Sequence, residues 1–378
     1  MVSAGAYVYP WDVVGDPAAA SRIAELGVTD AVLAAAYHTT RALTPLHPRH
    51  RIVVAQHAAA YYPPDPGVWK GRRLQPGPAT WVDGPDSFGT AAAALRTAGL
   101  NVQAWVVLAH NTRLGEQFPD VAVRNAYGDV YPWALCIAQD DVREYAITLV
   151  GEIGDRDDLD GFELEACGWY GYDHQSAHDK STGVKLTAFE EYLFSLCFCP
   201  ACARAYADVG VAADELRTTV RTRLDATFAG TTPIEFDAAL AEAVARMRIA
   251  VSARFRADVV AAARPHRTLV HAHPDPLRYG ANVGVDLSRP VADGLVLNCW
   301  RDVDEADAAI TTATKAGHRV AASFLAVGGM GGDLAGLPSR VERARAAGAE
   351  DLRFYHAGLA APADLEALRA LPVMDKDG

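Results

Sequence analysis

Three cysteines fall within six residues, Cys197-Phe-Cys199-Pro-Ala-Cys202, in a chain that has only six. Zinc prefers a tetrahedron of soft thiolates, and a Cys-x-x-Cys turn lets two of them meet one ion. A fourth ligand has to come from elsewhere, and Cys136 and Cys167 are both available. The competing readings are buried small apolar side chains or a redox pair. A redox pair sits at a helix start after a strand, and no strand is readable before Cys197. The expectation is a structural zinc, holding segments together rather than reacting.

Asp160-Gly161-Phe162-Glu163-Leu164-Glu165 is the second chemical signal. Residues two apart on a strand share a face, so Glu163 and Glu165 point the same way. If that way is a barrel interior, the two carboxylates sit one above the other. Such a pair is costly to bury unless each is partnered or one keeps its proton. Held protons are what general acids need. Glu165, nearer the strand end, is the predicted general acid; Glu163 is either its catalytic companion or a salt-bridged structural residue.

Histidines and aromatic residues gather at the same predicted strand ends. His38, His57, His110, His271, His273 and His356 are six of the twelve histidines and suggest a polar floor for a hydroxyl-rich ligand. Tyr9-Pro-Trp11, Trp169-Tyr170, Asn298-Cys299-Trp300 and Phe354-Tyr355 supply rings on which apolar sugar faces stack. The predicted substrate-contacting residues are Asp12, His57, His110, Asn111, Trp169, His273, Asn298 and Trp300. A rival chemistry uses His271-Ala-His273, whose alternate spacing puts two imidazoles on one face, with Glu165 as ligands of a catalytic metal.

The elements that must carry these groups are legible as apolar runs separated by amphipathic stretches. The candidate core strands are Tyr7–Tyr9, Ala31–Ala36, Ile52–Ala55 or Val102–Leu108, Gly161–Leu164, Leu269–Ala272, Leu295–Asn298, Val320–Leu325 and Leu352–Tyr355. Gly27, Gly99, Gly317 and Gly348 each follow an amphipathic stretch, the position of a left-handed helix cap. Asp16-Pro17 and Thr232-Pro233-Ile234-Glu235 read as helix starts. Continuous apolar strands alternating with helices imply a parallel sheet covered on both faces. About eight such units imply a (β/α)8 TIM barrel, whose chemistry gathers at the C-terminal strand ends. An open doubly wound sheet is disfavoured because no Gly-x-Gly-x-x-Gly follows the first strand. Residues 168–265 interrupt the rhythm after strand four. Leu240, Val244, Met247, Val251, Phe255 and Val259 mark one face of a long helix there. The whole chain, 1–378, is read as one barrel domain with 168–265 a helical excursion within it.

The segment Leu135-Cys136-Ile-Ala-Gln-Asp-Asp-Val142-Arg143-Glu144-Tyr145, followed by the cysteine triplet, resembles family-42 β-galactosidases. That resemblance implies Cys136, ahead of Cys167, as the fourth zinc ligand. Trp105-Val-Val-Leu-Ala-His110-Asn111, Asp160–Glu165 and Leu196–Cys202 extend it to uncharacterised glycoside-hydrolase-like TIM barrels over roughly residues 102–206. The family's Asn-Glu acid/base motif is absent; the carboxylate arrives as Glu-Leu-Glu. The resemblance also implies a nucleophilic Glu ending strand seven, where this chain has Gly328-Gly329-Met330-Gly331-Gly332. The second catalytic carboxylate then falls to Asp275, Asp12, Asp173 or Glu163. Asp-Gly-x-Glu-x-Glu is also similar to the strand-four motif of chitinase-like enzymes, in which the substrate supplies the nucleophile.

Composition narrows the rest. The 378 residues carry a formal net charge of −12, against a nucleic-acid partner, which needs a basic face. No run approaches a membrane span, and the amino terminus lacks a leader pattern, so the expected compartment is the cytoplasm. No organic cofactor is expected. The acidic, Ala-rich excursion is a candidate homo-oligomer contact. The activity expected is cleavage of a glycosidic bond in a small carbohydrate or glycoconjugate. The alternatives are a metal-dependent hydrolase or isomerase, or a carbohydrate-binding barrel without catalysis.

Overall fold

Eight parallel strands close on themselves in a computed structural model that describes residues 3–172 and 180–371. They are β1 (Ser3–Val8), β2 (Asp30–Tyr37), β3 (Asn101–Val107), β4 (Gly161–Glu165), β5 (Arg267–His273), β6 (Gly294–Asn298), β7 (Val320–Leu325) and β8 (Asp351–Tyr355). Each pairs with its neighbour in chain order, and β1 pairs with both β2 and β8, which completes the ring. The fold is the expected (β/α)8 TIM barrel. All eight residues of β2 are buried, as befits a parallel strand covered on both faces.

The choice between Ile52–Ala55 and the run at 102 resolves in favour of the latter. Val102 and Ala104–Val107 are buried in β3, whereas Ile52 and Val54 point to solvent. Ile52–Ala55 pairs antiparallel with Thr40–Leu43 in a separate hairpin, with Leu43 opposite Ile52. Its period-two burial belongs to a strand with one wet face, not to a barrel stave.

The crossover helices are α1 (Ala19–Ala24), α2 (Ser87–Thr97), α3 (Asp140–Gly154), α4 (Ala238–Ala262), α5 (Val303–Lys315) and α6 (Leu337–Ala346); α7 (Pro362–Arg369) follows β8. Among the described residues no helix joins β5 to β6; a two-residue strand, Val283–Gly284, lies there instead. Gly99 and Gly317, both with φ +86°, end α2 and α5 as the spacing predicts. The expected start at Thr232 is corrected: α4 begins six residues later, because the Asp237 carboxylate accepts the Leu240 N–H and caps it there. Asp16 likewise accepts the Ala18 N–H just before α1 rather than capping a helix that starts at Pro17.

Helices Ala188–Phe194, Pro200–Asp208 and Ala213–Phe228 lie between β4 and β5. They precede α4, which takes the crossover position and packs against α3. Val244, Met247, Phe255 and Val259 of its predicted apolar face are buried. A second insertion, unannounced by the sequence, follows β3: helix Thr112–Gln117 and the hairpin Ala122–Arg124/Val130–Leu135, which delivers Cys136 to the start of α3.

Candidate active site and metal centre

The inward faces of the strands build three polar levels. At the bottom Asp351, fully buried, accepts from Arg319 and Arg267 at 2.7 Å each. In the middle the Arg353 Nε–H donates to Glu163 Oε1, and both side chains are at most 1% exposed. Tyr7 donates its hydroxyl to Glu163 Oε2 at 2.8 Å, and His271 Nε2 lies 3.1 Å from that hydroxyl. Two glycines make room for interior side chains, Gly5 at this level and Gly161 below it. A Cβ on Gly5 would lie 3.1 Å from Arg353 Cδ, and one on Gly161 only 2.2 Å from Gln103 Oε1.

Glu163 is therefore the salt-bridged residue of its two readings. Burial alone would raise its pKa, but the Arg353 guanidinium, helped by His271, brings it to about 2. With both oxygens engaged and no proton to give, it is neither a free nucleophile nor an acid. Arg353, which anchors the level, was not anticipated. Its signal was a lone arginine inside the apolar run Leu352-Arg353-Phe354.

Glu165, one level higher and half-buried at the end of β4, accepts the Trp105 indole N–H on Oε2 at 2.8 Å. Aromatic rings surround that indole: Tyr37 at 4.5 Å and Tyr7 at 4.9 Å between centroids. Tyr355 stands against Trp300 at 4.8 Å, and its hydroxyl meets that of Tyr9 at 3.3 Å. Trp300 is half-buried and directs its N–H at Ser323 Oγ, 3.4 Å away. The mouth is thus a carboxylate among rings.

Asp12 lies beside this mouth, 6% exposed, with Oδ2 accepting the Tyr9 N–H at 2.7 Å and Oδ1 lacking a hydrogen-bond partner. Burial pushes its carboxyl up to about 7. His356 Nδ1 is 3.8 Å from Asp12 Oδ2, and burial pushes this imidazole down to about 3. Because His356 Nδ1 accepts the Gly358 N–H, its neutral ring carries the proton on Nε2. The two face each other as neutral groups near pH 6.

The other predicted ligand-contacting residues divide. His110 stacks on Tyr170 with centroids 4.6 Å apart, and its Nδ1 lies 2.9 Å from the Trp133 carbonyl. Asn111 is buried and accepts the Leu114 N–H as a helix cap, so its amide oxygen is already used. Trp169 is buried among the inserted helices, its N–H donated to the Arg248 carbonyl at 2.8 Å. His57 packs edge-on against Trp81. Asn298 is exposed and turns its oxygen to the Trp300 N–H. His273 Nε2 lies 3.8 Å from Glu305, and Asp275 is exposed in the turn that follows, accepting the Leu277 N–H. Asp173 lies outside the described residues.

The histidine-based metal reading finds no support in this geometry. His271 is committed to Tyr7 and Glu163, while His273 accepts the Asp275 N–H on Nδ1 and has Nε2 beside Glu305. Among the described residues the groups close enough to share an ion are Cys136, Cys197, Cys199 and Cys202, with all four sulfurs within 4.8 Å of one another.

All four of these cysteines are buried, and Cys136 Sγ is 3.4 Å from Cys202 Sγ and 3.7 Å from Cys199 Sγ. A tetrahedron with metal–sulfur bonds of about 2.3 Å has edges of roughly 3.8 Å, so the donor set fits zinc. Backbone N–H groups of Arg124 and Cys202 point at Cys197 and Cys199, each at 3.4 Å, as they do toward thiolates that bind metal. Contact with neighbouring thiols holds Cys199 below the usual thiol range and drives Cys136 and Cys202 above it. Four thiols so crowded do not all ionise without a cation between them. Cys167 is buried apart from the cluster, so the fourth ligand position falls to Cys136.

In sequence the chain matches no protein-family model and no curated protein. In structure it is similar to the PgaB (BpsB) glycoside hydrolase domain from Bordetella bronchiseptica, with 16% identity, a TM-score of 0.63 and each chain covered over 100% of its length. It is also similar to α-L-fucosidase isoenzyme 2 from Paenibacillus thiaminolyticus, at 14% identity and a TM-score of 0.60 over 98% of this chain and 48% of that one. A third is a β-galactosidase from the psychrophilic Marinomonas ef1, at 8% identity and a TM-score of 0.54 over 97% and 58%. The chain thus spans about half of the fucosidase and under two thirds of the galactosidase. What these likenesses share with this chain is the barrel fold. No helix among the described residues is long and apolar enough to cross a membrane.

Proposed function

We propose that this barrel is a glycoside hydrolase acting on a small carbohydrate or glycoconjugate, with Glu165 as its general acid. The observation that carries the reading is a half-buried carboxylate at the C-terminal end of β4, oriented by the Trp105 N–H in a mouth lined with Tyr9, Tyr37, Tyr355 and Trp300. Barrel enzymes place their chemistry at that end of that face. Rings there stack on apolar sugar faces while carboxylates and hydroxyls bind the sugar oxygens. Several solved structures of the same fold, named above, are glycosidases.

In this reading Glu165 protonates the leaving oxygen, and Trp105 fixes the direction from which it does so. Glu163, paired with Arg353 beneath it, has no proton to give and serves as the floor of the mouth. With no Glu at the end of β7, Asp12 and Asp275 are the candidates for a second carboxylate. Zinc on the four cysteines would hold the insertion after β4 to the start of α3 without touching substrate.

The test is turnover of a panel of aryl glycosides by the parent chain and by Glu165→Gln. Cleavage by the parent, lost in the variant while its melting temperature is kept, supports the assignment. Undiminished turnover in Glu165→Gln overturns it. A carbohydrate-binding barrel without catalysis is the second reading, favoured by the Gly-rich end of β7. It gives sugar-dependent thermal stabilisation and no product.

A further inference from the structure

We infer that Arg248 is a counter-charge of a metal-loaded tetrathiolate centre, a buried cation that offsets half of what a divalent ion and four thiolates carry together. This rests on the reading of Cys136, Cys197, Cys199 and Cys202 as ligands.

Arg248 lies on α4 and is 1% exposed. Its guanidinium is packed over the Trp169 ring at 4.6 Å and the Tyr192 ring at 5.1 Å. One hydrogen bond is made, from Nη1 to the Ser195 carbonyl at 3.3 Å. Nε and Nη2 are buried with no hydrogen-bond partner, and among the described residues no carboxylate pairs with it. Buried charges are ordinarily paired: Arg353 has Glu163, whereas Arg256, 4% exposed, has a single hydrogen bond to Ser252. Arg248 is a charge whose partner is missing.

The missing charge is close by. Ser195, which receives the one hydrogen bond, precedes Cys197 by two residues. Helix Pro200–Asp208, which carries Cys202, packs against α4. Tyr206, one turn beyond Cys202 on that helix, is fully buried and feels the charges of Cys202, Arg248 and Cys197 together. Its hydroxyl, like that of Tyr192, has no hydrogen-bond partner. Guanidinium, phenols and thiols thus share one buried neighbourhood.

The charge count is simple. Loading a divalent ion onto the four sulfurs displaces the thiol protons to solvent and leaves a centre of net charge −2. Arg248 brings that to −1, and the N–H groups of Arg124 and Cys202 on Cys197 and Cys199 spread the remainder. In an interior of low dielectric, such attraction is screened little by salt.

The experiment compares the full chain with Arg248→Met, Arg248→Lys and Arg256→Met. Arg256 is a buried arginine two turns further along α4, set against Ser252 and subject to the charges of Cys167 and Asp286, and so controls for damage to the helix. Zinc affinity is read by competition with a chromophoric chelator, and stability by urea unfolding of the loaded and of the stripped, reduced chain. Arg248→Met is expected to weaken zinc binding by about 10- to 100-fold. Arg248→Lys keeps most of the affinity, and Arg256→Met all of it. In the stripped chain Arg248→Met unfolds at the parent's urea concentration or above it, because an unbalanced charge has gone. Unchanged zinc affinity in Arg248→Met, or equal destabilisation of loaded and stripped chains, overturns the inference. A parent that binds no zinc overturns the ligand reading itself, a result visible before any variant is made.

Discussion

Glu163 and Arg353 meet inside the barrel from β4 and β8, strands that stand opposite each other in the ring, and their ion pair fills the space beneath the mouth. Each strand on its own brings an unburiable charge. The pair, with the Tyr7 hydroxyl as a further donor, turns both into parts of the core.

Breaking that pair from one side leaves the other charge buried and alone. Arg353→Met is expected to lower unfolding free energy by about 3–5 kcal/mol, and the double change with Glu163→Gln to cost less than the two single changes together. Urea unfolding at pH 7 measures both. Additive losses would mean that the two side chains do not stabilise each other.

Glu165→Gln keeps the shape of the mouth and removes its proton donor. Turnover of any glycoside the parent cleaves is expected to fall by about 10²- to 10⁴-fold with the fold intact. Trp105→Phe, which removes the N–H on Glu165 together with part of a buried ring, should cost less and act mainly on kcat. Equal losses in the two variants would argue that the indole does more than aim the acid.

Trp300 is expected to act through binding rather than through the reacting bond. Trp300→Ala, which strips a half-buried ring from the rim, should raise KM by several-fold and leave kcat within about threefold. A collapse of kcat at constant KM would move Trp300 into the reacting geometry.

Asp12 gives a pH dependence with a definite sign. Its folded carboxyl titrates near 7 and its unfolded one near 3.8, so the folded chain holds a proton the unfolded chain has lost. That stabilising contribution is complete below about pH 4 and disappears as pH rises through 7, a change of up to about 4 kcal/mol. Over part of the same range His356, pushed down to about 3, works in the opposite sense, gaining stability as pH rises toward 6.5. Asp12→Asn should therefore gain on the parent steadily between pH 4 and pH 7. Parallel stability curves for the two proteins would show that Asp12 is ionised throughout.

One tightly held zinc per chain is expected by elemental analysis. Its removal under reducing conditions should lower the melting temperature by several degrees, and Cys202→Ser should prevent loading. Mutation of Cys167 should leave zinc content unchanged, since that thiol stands apart from the cluster.

The strands were legible because parallel staves buried on both faces read as unbroken apolar runs; Ala31–Ala36 and Val320–Leu325 lie where the runs lie. Ile52–Ala55 imitated a stave because β-branched residues also suit a one-faced hairpin, and only burial tells the two apart. The cysteine set was readable because thiols are scarce in this chain and their spacing is specific. Glu163 and Glu165 were correctly placed on one face, but the sequence could not say which of them an arginine 190 residues away would claim. Asn111 and Trp169 have partners elsewhere for a related reason. A polar or aromatic residue near a strand end serves a helix cap or an inserted helix as readily as a ligand, and the competing partner is remote in sequence.

The fourth cysteine comes 61 residues before the first of the triplet, and β4 lies between them. A metal on these sulfurs closes that stretch of chain into a ring. Within the ring the peptide backbone is no longer the only thing joining the two halves of the barrel. A chain cut at the exposed Lys185 would become two polypeptides that share one ion, one bringing Cys136 and the other the remaining three sulfurs, so that metal binding would favour their assembly.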